Sequence, residues 1–85
     1  MKIGVAGSLE SNDVLITVKD GEGINISVKS IVYDFFKNQI EKVIKDTLSE
    51  LKIENISVSV EDKGALDYTI KARLLTAIAR MEGEV

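Results

Sequence analysis

The chain has 85 residues, no cysteine, no histidine and a formal net charge of −3. This length predicts one small domain with a modest core, and a hydrophobic fraction of 45% is typical of a folded protein. The missing residue types exclude disulfides, thiolate metal sites and His-based catalytic triads. The negative charge and scarce aromatic residues argue against nucleic acid as a partner, and no apolar run is long enough to cross a membrane. The absence of cysteine fits the reducing cytoplasm, where we expect the protein.

Three stretches of the chain alternate between apolar and polar residues and therefore predict strands. Residues 14–19 and residues 24–29 both place their apolar side chains at even positions, which is typical of a strand with one buried face. Residues 20–23 contain two glycines and predict a turn, so that the two strands form a hairpin. Residues 56–61 alternate in the same way and predict the third strand.

Residues 1–12 are predicted to be a mobile arm, less ordered than the sheet in the isolated protein. They contain two glycines and no sustained periodic pattern. Ile3 and Val5 either pair as a short edge strand or stay unpaired. Terminal segments with few apolar anchors are commonly mobile.

Two further stretches repeat apolar residues every three or four positions and predict amphipathic helices. The first follows Ser30, a residue type suited to an N-cap, and its apolar stripe runs over residues 32–51. The stripe of the second helix runs over residues 66–81, and Gly83 is suited to end it.

The element order is therefore β-β-α-β-α, and each strand has one apolar and one mostly polar face. Because a sheet covered on both faces would be apolar throughout, we predict an α/β fold of the α+β type: a two-layer sandwich of a three-stranded sheet with two helices on one face. We favour the third strand beside the first and antiparallel to it. The predicted core consists of Val14, Ile16, Val18, Ile26, Val28, Phe36, Ile40, Val58, Leu74 and Ile78.

A polar segment before the first strand, residues 7–13, carries two hydroxyls in Ser8 and Ser11. Its residue types favour a turn, and surface turns commonly carry function. A serine hydroxyl is a weak nucleophile unless a base activates it, and no histidine, cysteine or obvious lysine lies nearby. The chain is therefore poorly suited to be an enzyme and adequate as a carrier, whose exposed hydroxyl another enzyme modifies. An ordinary turn serine would explain the same pattern.

Three motifs follow one another along nearly the whole chain: Gly7-Ser8-Leu9-Glu10-Ser11-Asn12-Asp13, Asp62-Lys63-Gly64-Ala65-Leu66-Asp67 and Lys71-Ala72-Arg73. Together they resemble the acyl carrier protein, or gamma subunit, of citrate lyase. The resemblance implies a covalent arm, 2'-(5''-phosphoribosyl)-3'-dephospho-CoA, joined by a phosphodiester to a serine hydroxyl. Carried over residue by residue, the attachment falls on Ser11, because relatives can hold threonine at the position of Ser8.

The resemblance also implies a non-catalytic subunit that serves citrate fermentation. In that family an alpha subunit exchanges the acetyl group on the arm for citrate, a beta subunit cleaves the citryl thioester to oxaloacetate, and a separate arm-transferring enzyme attaches the arm. The fold predicted here is not the helical bundle of ordinary acyl carriers, whose Asp-Ser-Leu attachment motif is missing. Two alternatives stay open: the carrier subunit of malonate decarboxylase, and a small interaction domain that carries nothing.

The second and third motifs also have plain structural explanations. Asp62 is suited to cap the following helix, and Asp67 with Lys71 would form an i,i+4 pair. The cations Lys63, Lys71 and Arg73 are either a solvated face or groups that face the anionic arm or a partner enzyme. Several acidic residues match no calcium-loop spacing and are interpreted as turn residues: Asp13, Asp20, Glu22 and Asp62.

Overall fold

The computed structural model describes residues 2–30 and 33–83, and among these the side chains of residues 33–36 are not described. Within the described residues no helix has the length and apolar character needed to span a bilayer. The elements are β1 (Ile3–Gly7), β2 (Val14–Lys19), β3 (Ile24–Ser30), α1 (Tyr33–Glu50), β4 (Ile56–Asp62) and α2 (Asp67–Met81).

The sheet has four strands in the order β1-β2-β4-β3, so the prediction of a three-stranded sheet is wrong. The fourth strand, β1, comes from the residues assigned to the N-terminal arm, and it pairs antiparallel with β2. The predicted hairpin between β2 and β3 is also wrong, because β4 lies between them and pairs antiparallel with β2 and parallel with β3. Alternation defines which face of a strand is buried but not which strand lies beside it. The expected antiparallel pairing of the third predicted strand with the first is confirmed.

One face of the sheet is buried and carries the core. The register places Ile16 opposite Val60 and Val60 opposite Val28, so a row of buried apolar side chains crosses three strands. Helix α2 contacts β1 and β2, and α1 contacts β3 and α2, so both helices cover this face. Ser27 and Ser59 lie exposed on the other face. The sheet is therefore apolar on the helix side and polar on the solvent side.

The predicted core residues with described side chains lie in the core or pack against it. Ile26 is only partly buried, and the side chain of Phe36 lies outside the described residues. The prediction that Ser30 caps the first helix depends on residues 31 and 32, which also lie outside the described residues. The predicted core residues that are buried are Val14, Ile16, Val18, Val28, Ile40, Val58, Leu74 and Ile78.

Strand β1 packs closely against α2. A Cβ atom at Gly4 would overlap the carbonyl oxygen of Ala77 in the helix, and Ala6 on the same strand is only 2% exposed. Glycine at position 4 therefore allows the strand to approach the helix backbone. A short strand with small residues on its buried face lacks the bulky alternation by which strands are recognised in a sequence.

We expect Gly4→Ala to lower the free energy of unfolding by about 1–3 kcal/mol, because the added methyl group forces β1 and α2 apart. The matched control is Val5→Ala on the same strand. The side chain of Val5 is 42% exposed, so its truncation should lower the free energy of unfolding much less. Urea denaturation of both variants measures the difference. Equal stability of the Gly4→Ala variant and the wild type would show that β1 is not packed on α2.

Candidate functional site

Ser11 lies at the tip of the connection between β1 and β2. The backbone N–H of Asp13 donates to the carbonyl of Glu10 at 3.1 Å, which closes a β-turn with Ser11 and Asn12 at its centre. Asn12 has a φ of +66°, whereas Ser11 is not among the residues with positive φ. These signs are those of a type II turn. The turn exposes Ser11 to solvent.

A β-bulge joins this turn to the segment that follows β4. The N–H of Asn12 donates to the carbonyl of Lys63 at 2.8 Å, and the N–H of Lys63 donates to the carbonyl of Asp13 at 2.9 Å. Two residues on one chain segment thus oppose one residue on the other. Asparagine is one of the few residue types that readily adopt the left-handed conformation required at position 12.

The two serines of the turn segment differ in their surroundings. The hydroxyl of Ser8 donates to Oδ2 of Asp13 at 2.7 Å and accepts the N–H of Glu10 at 3.3 Å, and Ser8 is partly buried. The hydroxyl of Ser11 makes no hydrogen bond with any described residue, and Ser11 is exposed. Ser11 therefore offers the accessible hydroxyl, whereas that of Ser8 holds the loop together.

Asp13 connects the turn to helix α2. Its carboxylate accepts a bidentate pair of hydrogen bonds from Arg73, with Nε and Nη2 each at 3.0 Å, and also accepts the N–H of Val14 at 2.7 Å. These bonds, together with that from Ser8, lower the pKa of Asp13 from 3.8 to about 2. The carboxylate is thus a weak base, and its contact with Ser8 is not that of a base that activates a nucleophile.

The second motif, residues 62–67, lies beside the serine turn. Asp62 is buried, and its carboxylate accepts the hydroxyl of Ser30 at 2.8 Å and the N–H of Ala65 at 2.9 Å. It therefore closes the turn before α2 and does not cap the helix, whose N-cap position, Leu66, makes no side-chain capping bond. A Cβ at Gly64 would lie 3.5 Å from Oδ1 of Asn12, so this motif lies beside the serine turn.

The cations of the motifs differ in their partners. Lys71 pairs with Glu50 on α1 at 3.1 Å, so the predicted pair of Lys71 with Asp67 is wrong. Asp67 instead accepts a hydrogen bond from Gln39 at 2.7 Å. Lys63 makes no ion pair with the described residues.

The acidic side chains interpreted as turn residues bear on whether the chain could hold a metal ion. Among the side chains of residues 2–30 and 37–83, no three acidic groups come together as a cluster able to hold a metal ion. Asp20, for example, accepts the backbone N–H of Lys2 at 3.0 Å.

Comparison with known proteins gives the family. The family model described as "ACP: Malonate decarboxylase delta subunit (MdcD)" matches residues 1–81. The citrate lyase acyl carrier protein of Halothermothrix orenii is 47% identical over 88% of this chain and 81% of its own length. That of Streptococcus mutans is 51% identical over 89% of this chain and 76% of its own length. This chain belongs to the citrate lyase acyl carrier protein family.

The resemblance noted in the sequence motifs is thus confirmed, and so is the prediction of a carrier instead of an enzyme. A chain of the crystal structure of a Pseudomonas malonate decarboxylase hetero-tetramer in complex with malonate has the same fold, with a TM-score of 0.82 at 15% identity over 94% of this chain and 84% of that one. Membership of this acyl carrier family implies a covalently attached prosthetic group and a place as carrier subunit in a multi-subunit lyase or decarboxylase complex.

The contact between Asp13 and Arg73 was not predicted. The two residues are 60 positions apart in the chain, and Arg73 was interpreted as a solvated cation or a group facing the arm or a partner. A single sequence offers no signal for this contact, because any acidic residue in a loop could be the partner of a helical arginine.

We expect acid to destabilise the wild type more than the Asp13→Asn variant. The folded pKa of about 2 lies below the ordinary 3.8, so the unfolded chain binds the proton more readily. The stability contributed by ionised Asp13 is therefore complete above pH 3.8 and is lost as the pH falls towards 2. Urea midpoints of the two proteins at several pH values between 5 and 2 measure this. A stability difference that does not change with pH would contradict the folded pKa.

Proposed function

We propose that this protein is the acyl carrier subunit of a citrate lyase and that Oγ of Ser11 carries the 2'-(5''-phosphoribosyl)-3'-dephospho-CoA arm through a phosphodiester. The observation that supports this site is the contrast between the two hydroxyls: Ser11 is exposed without a described hydrogen bond, whereas Ser8 is bonded to Asp13 and Glu10. The names of the relatives support citrate lyase as the enzyme.

The residues around Ser11 fit an attached phosphodiester. Lys63 is bonded through its backbone to both residues that follow Ser11, and its ammonium makes no ion pair with the described residues. A lysine ammonium near the turn would favour the negative charge of a phosphodiester. Arg73 is already paired with Asp13, which leaves Lys63 as the better candidate for this role. When bound, the arm supplies a terminal thiol on which an acyl group is held as a thioester.

The geometry also suits a carrier that serves two enzymes. The ends of the turn are fixed by β1 and β2, while Ser11 itself faces solvent. Tethering to a fixed domain raises the effective concentration of a carried group at each active site it can reach. The partners in this proposal are the alpha subunit as acyl transferase, the beta subunit as citryl lyase and the arm-transferring enzyme, all in the cytoplasm.

A malonate decarboxylase carrier is the second candidate. It is favoured by the description of the matching family model and by the fold shared with a chain of the malonate decarboxylase hetero-tetramer. Reconstitution separates the two candidates. The arm-bearing chain should restore citrate cleavage to citrate lyase alpha and beta subunits, and it should not restore malonate decarboxylation to a decarboxylase that lacks its own carrier.

We expect motion at the attachment site to be confined to residues 8–12, because residues 3–7 are paired in the sheet. Amide hydrogen exchange at Ser11 should therefore be faster than at Val60 in the centre of β4, since unpaired surface amides open most easily. Exchange at Ser11 as slow as at Val60 would contradict a mobile attachment site.

We expect Ser11→Ala to abolish arm attachment and Ser8→Ala to retain it. Of the two serines in residues 7–13, only Ser11 has a hydroxyl without a hydrogen bond to a described residue, and its removal from an exposed turn should change the free energy of unfolding by no more than about 0.5 kcal/mol. Ser8→Ala removes the bond to Asp13 and should lower stability more. Each chain is expressed with the arm-transferring enzyme, and intact protein and peptides are analysed by mass spectrometry.

Ser11→Thr should retain part of the modification at a lower rate, since it keeps the hydroxyl and adds one methyl group. An adduct that persists in Ser11→Ala, or that lies on Ser8, would refute the site. A wild-type chain without any adduct, when the transferring enzyme is active on another carrier, would refute the carrier proposal as a whole.

A further inference from the structure

The bidentate contact of Asp13 with Arg73, called here the Asp13–Arg73 bridge, does more than join two charges. Asp13 is the last residue of the turn that contains Ser11, and it is also one of the two bulged residues opposite Lys63. Arg73 is on α2, whose next residue, Leu74, is fully buried in the core. The bridge thus ties the serine turn to a helix whose orientation the core fixes.

We propose that the Asp13–Arg73 bridge is a positioning element that holds the turn around Ser11 in the conformation recognised by the arm-transferring enzyme. The inference rests on the proposed attachment of the arm to Ser11. Neither residue of the bridge is assigned a contact with the arm or with the reacting atoms. Their role is to limit the conformations in which the hydroxyl of Ser11 is displayed.

The contacts around the turn support this role. Asn12, next to Ser11, has a left-handed backbone conformation that asparagine adopts more readily than most residue types, and the contacts around it decide how firmly the turn keeps this conformation. The bonds of Asn12 and Asp13 to the backbone of Lys63 enforce it from one side. The bridge enforces it from the other side, because a planar guanidinium with two bonds fixes the orientation of a carboxylate as well as its position.

Without Arg73, the carboxylate of Asp13 would be more stable if it turned towards water. Its side chain is 15% exposed in the bridge, and once its charge has no partner it is better solvated in water than against the sheet. A rotation of Asp13 towards water would also release the hydroxyl of Ser8 and the N–H of Val14. The turn would then sample several conformations, of which only some present Ser11 as the transferring enzyme requires.

Steady-state kinetics of arm transfer to the full-length chain test the proposal. When only a fraction of the chains displays the competent turn, the apparent affinity falls by that fraction. We expect Arg73→Gln and Asp13→Asn each to raise the KM for the carrier about tenfold, with kcat within about twofold of the wild type. The double variant should resemble either single variant, because both remove one interaction.

Two variants are matched controls. Arg80→Gln also removes an arginine contact of α2, that with the carbonyl of Val5 at 2.8 Å. Glu50→Gln also removes the acidic partner of a cation on α2. Both should keep the wild-type KM. Amide exchange provides a readout that does not depend on the enzyme. The N–H groups of Asn12 and Lys63 should exchange faster in Arg73→Gln and Asp13→Asn than in the wild type. In the two controls their exchange rates should be unchanged.

The outcomes separate positioning from its alternatives. An unchanged KM in both bridge variants, or an equal rise in the controls, would overturn the proposal. A rise in Arg73→Gln without a rise in Asp13→Asn would also overturn it and would indicate that Arg73 contacts the transferring enzyme directly. Absence of an adduct on the wild type would instead contradict the proposed attachment of the arm to Ser11. Failure of the attachment can therefore be distinguished from failure of the positioning role.

Discussion

The carboxylate of Asp13 joins the three sequence motifs into one site. Asp13 belongs to the first motif, and its carboxylate binds Arg73 of the third. Its backbone forms a hydrogen bond with Lys63 of the second motif. Segments that lie about 50 to 60 residues apart in the chain therefore form one surface around Ser11. Because a bidentate ion pair is more directional than a single contact, this contact limits the motion of a loop that otherwise has few apolar anchors.

The core determines where Arg73 can reach. Leu74, Ala77 and Ile78 are buried against the sheet, so the rotation of α2 about its axis is fixed and Arg73 is directed to the edge where β1 ends. Gly7 at that edge has a φ of +95°, and a Cβ there would overlap the carbonyl of Val14 and lie 3.4 Å from Cδ of Arg73. The missing side chain lets the backbone of residue 7 approach Val14 closely, with the arginine beside it. Packing of the core and geometry of the site are therefore coupled through one helix.

Much of this fold follows from hydrophobic periodicity, which predicts β2, β3, β4, both helices and the face that each buries. Periodicity does not predict the neighbour of a strand, so β2 and β3 were expected to pair although β4 lies between them. It also does not reveal β1, because Gly4 and Ala6 supply its buried face and Ile3 and Val5 are exposed. At the site, the motif predicts Ser11 as the attachment residue, whereas the Asp13–Arg73 bridge depends on long-range packing that no local pattern encodes.

The bridge also controls the electrostatics next to Ser11. A phosphodiester is an anion, and an unpaired aspartate two residues from the proposed attachment point would repel it. Pairing with Arg73 makes the local charge neutral, and the low pKa of Asp13 keeps the pair ionised over the whole physiological range. Lys63 lies across the bulge from the turn and Glu10 lies beside Ser11, and neither makes an ion pair with the described residues, so one positive and one negative charge remain near the turn. The bridge thus removes one source of repulsion for an anionic arm at the proposed serine, while the second serine is held in hydrogen bonds.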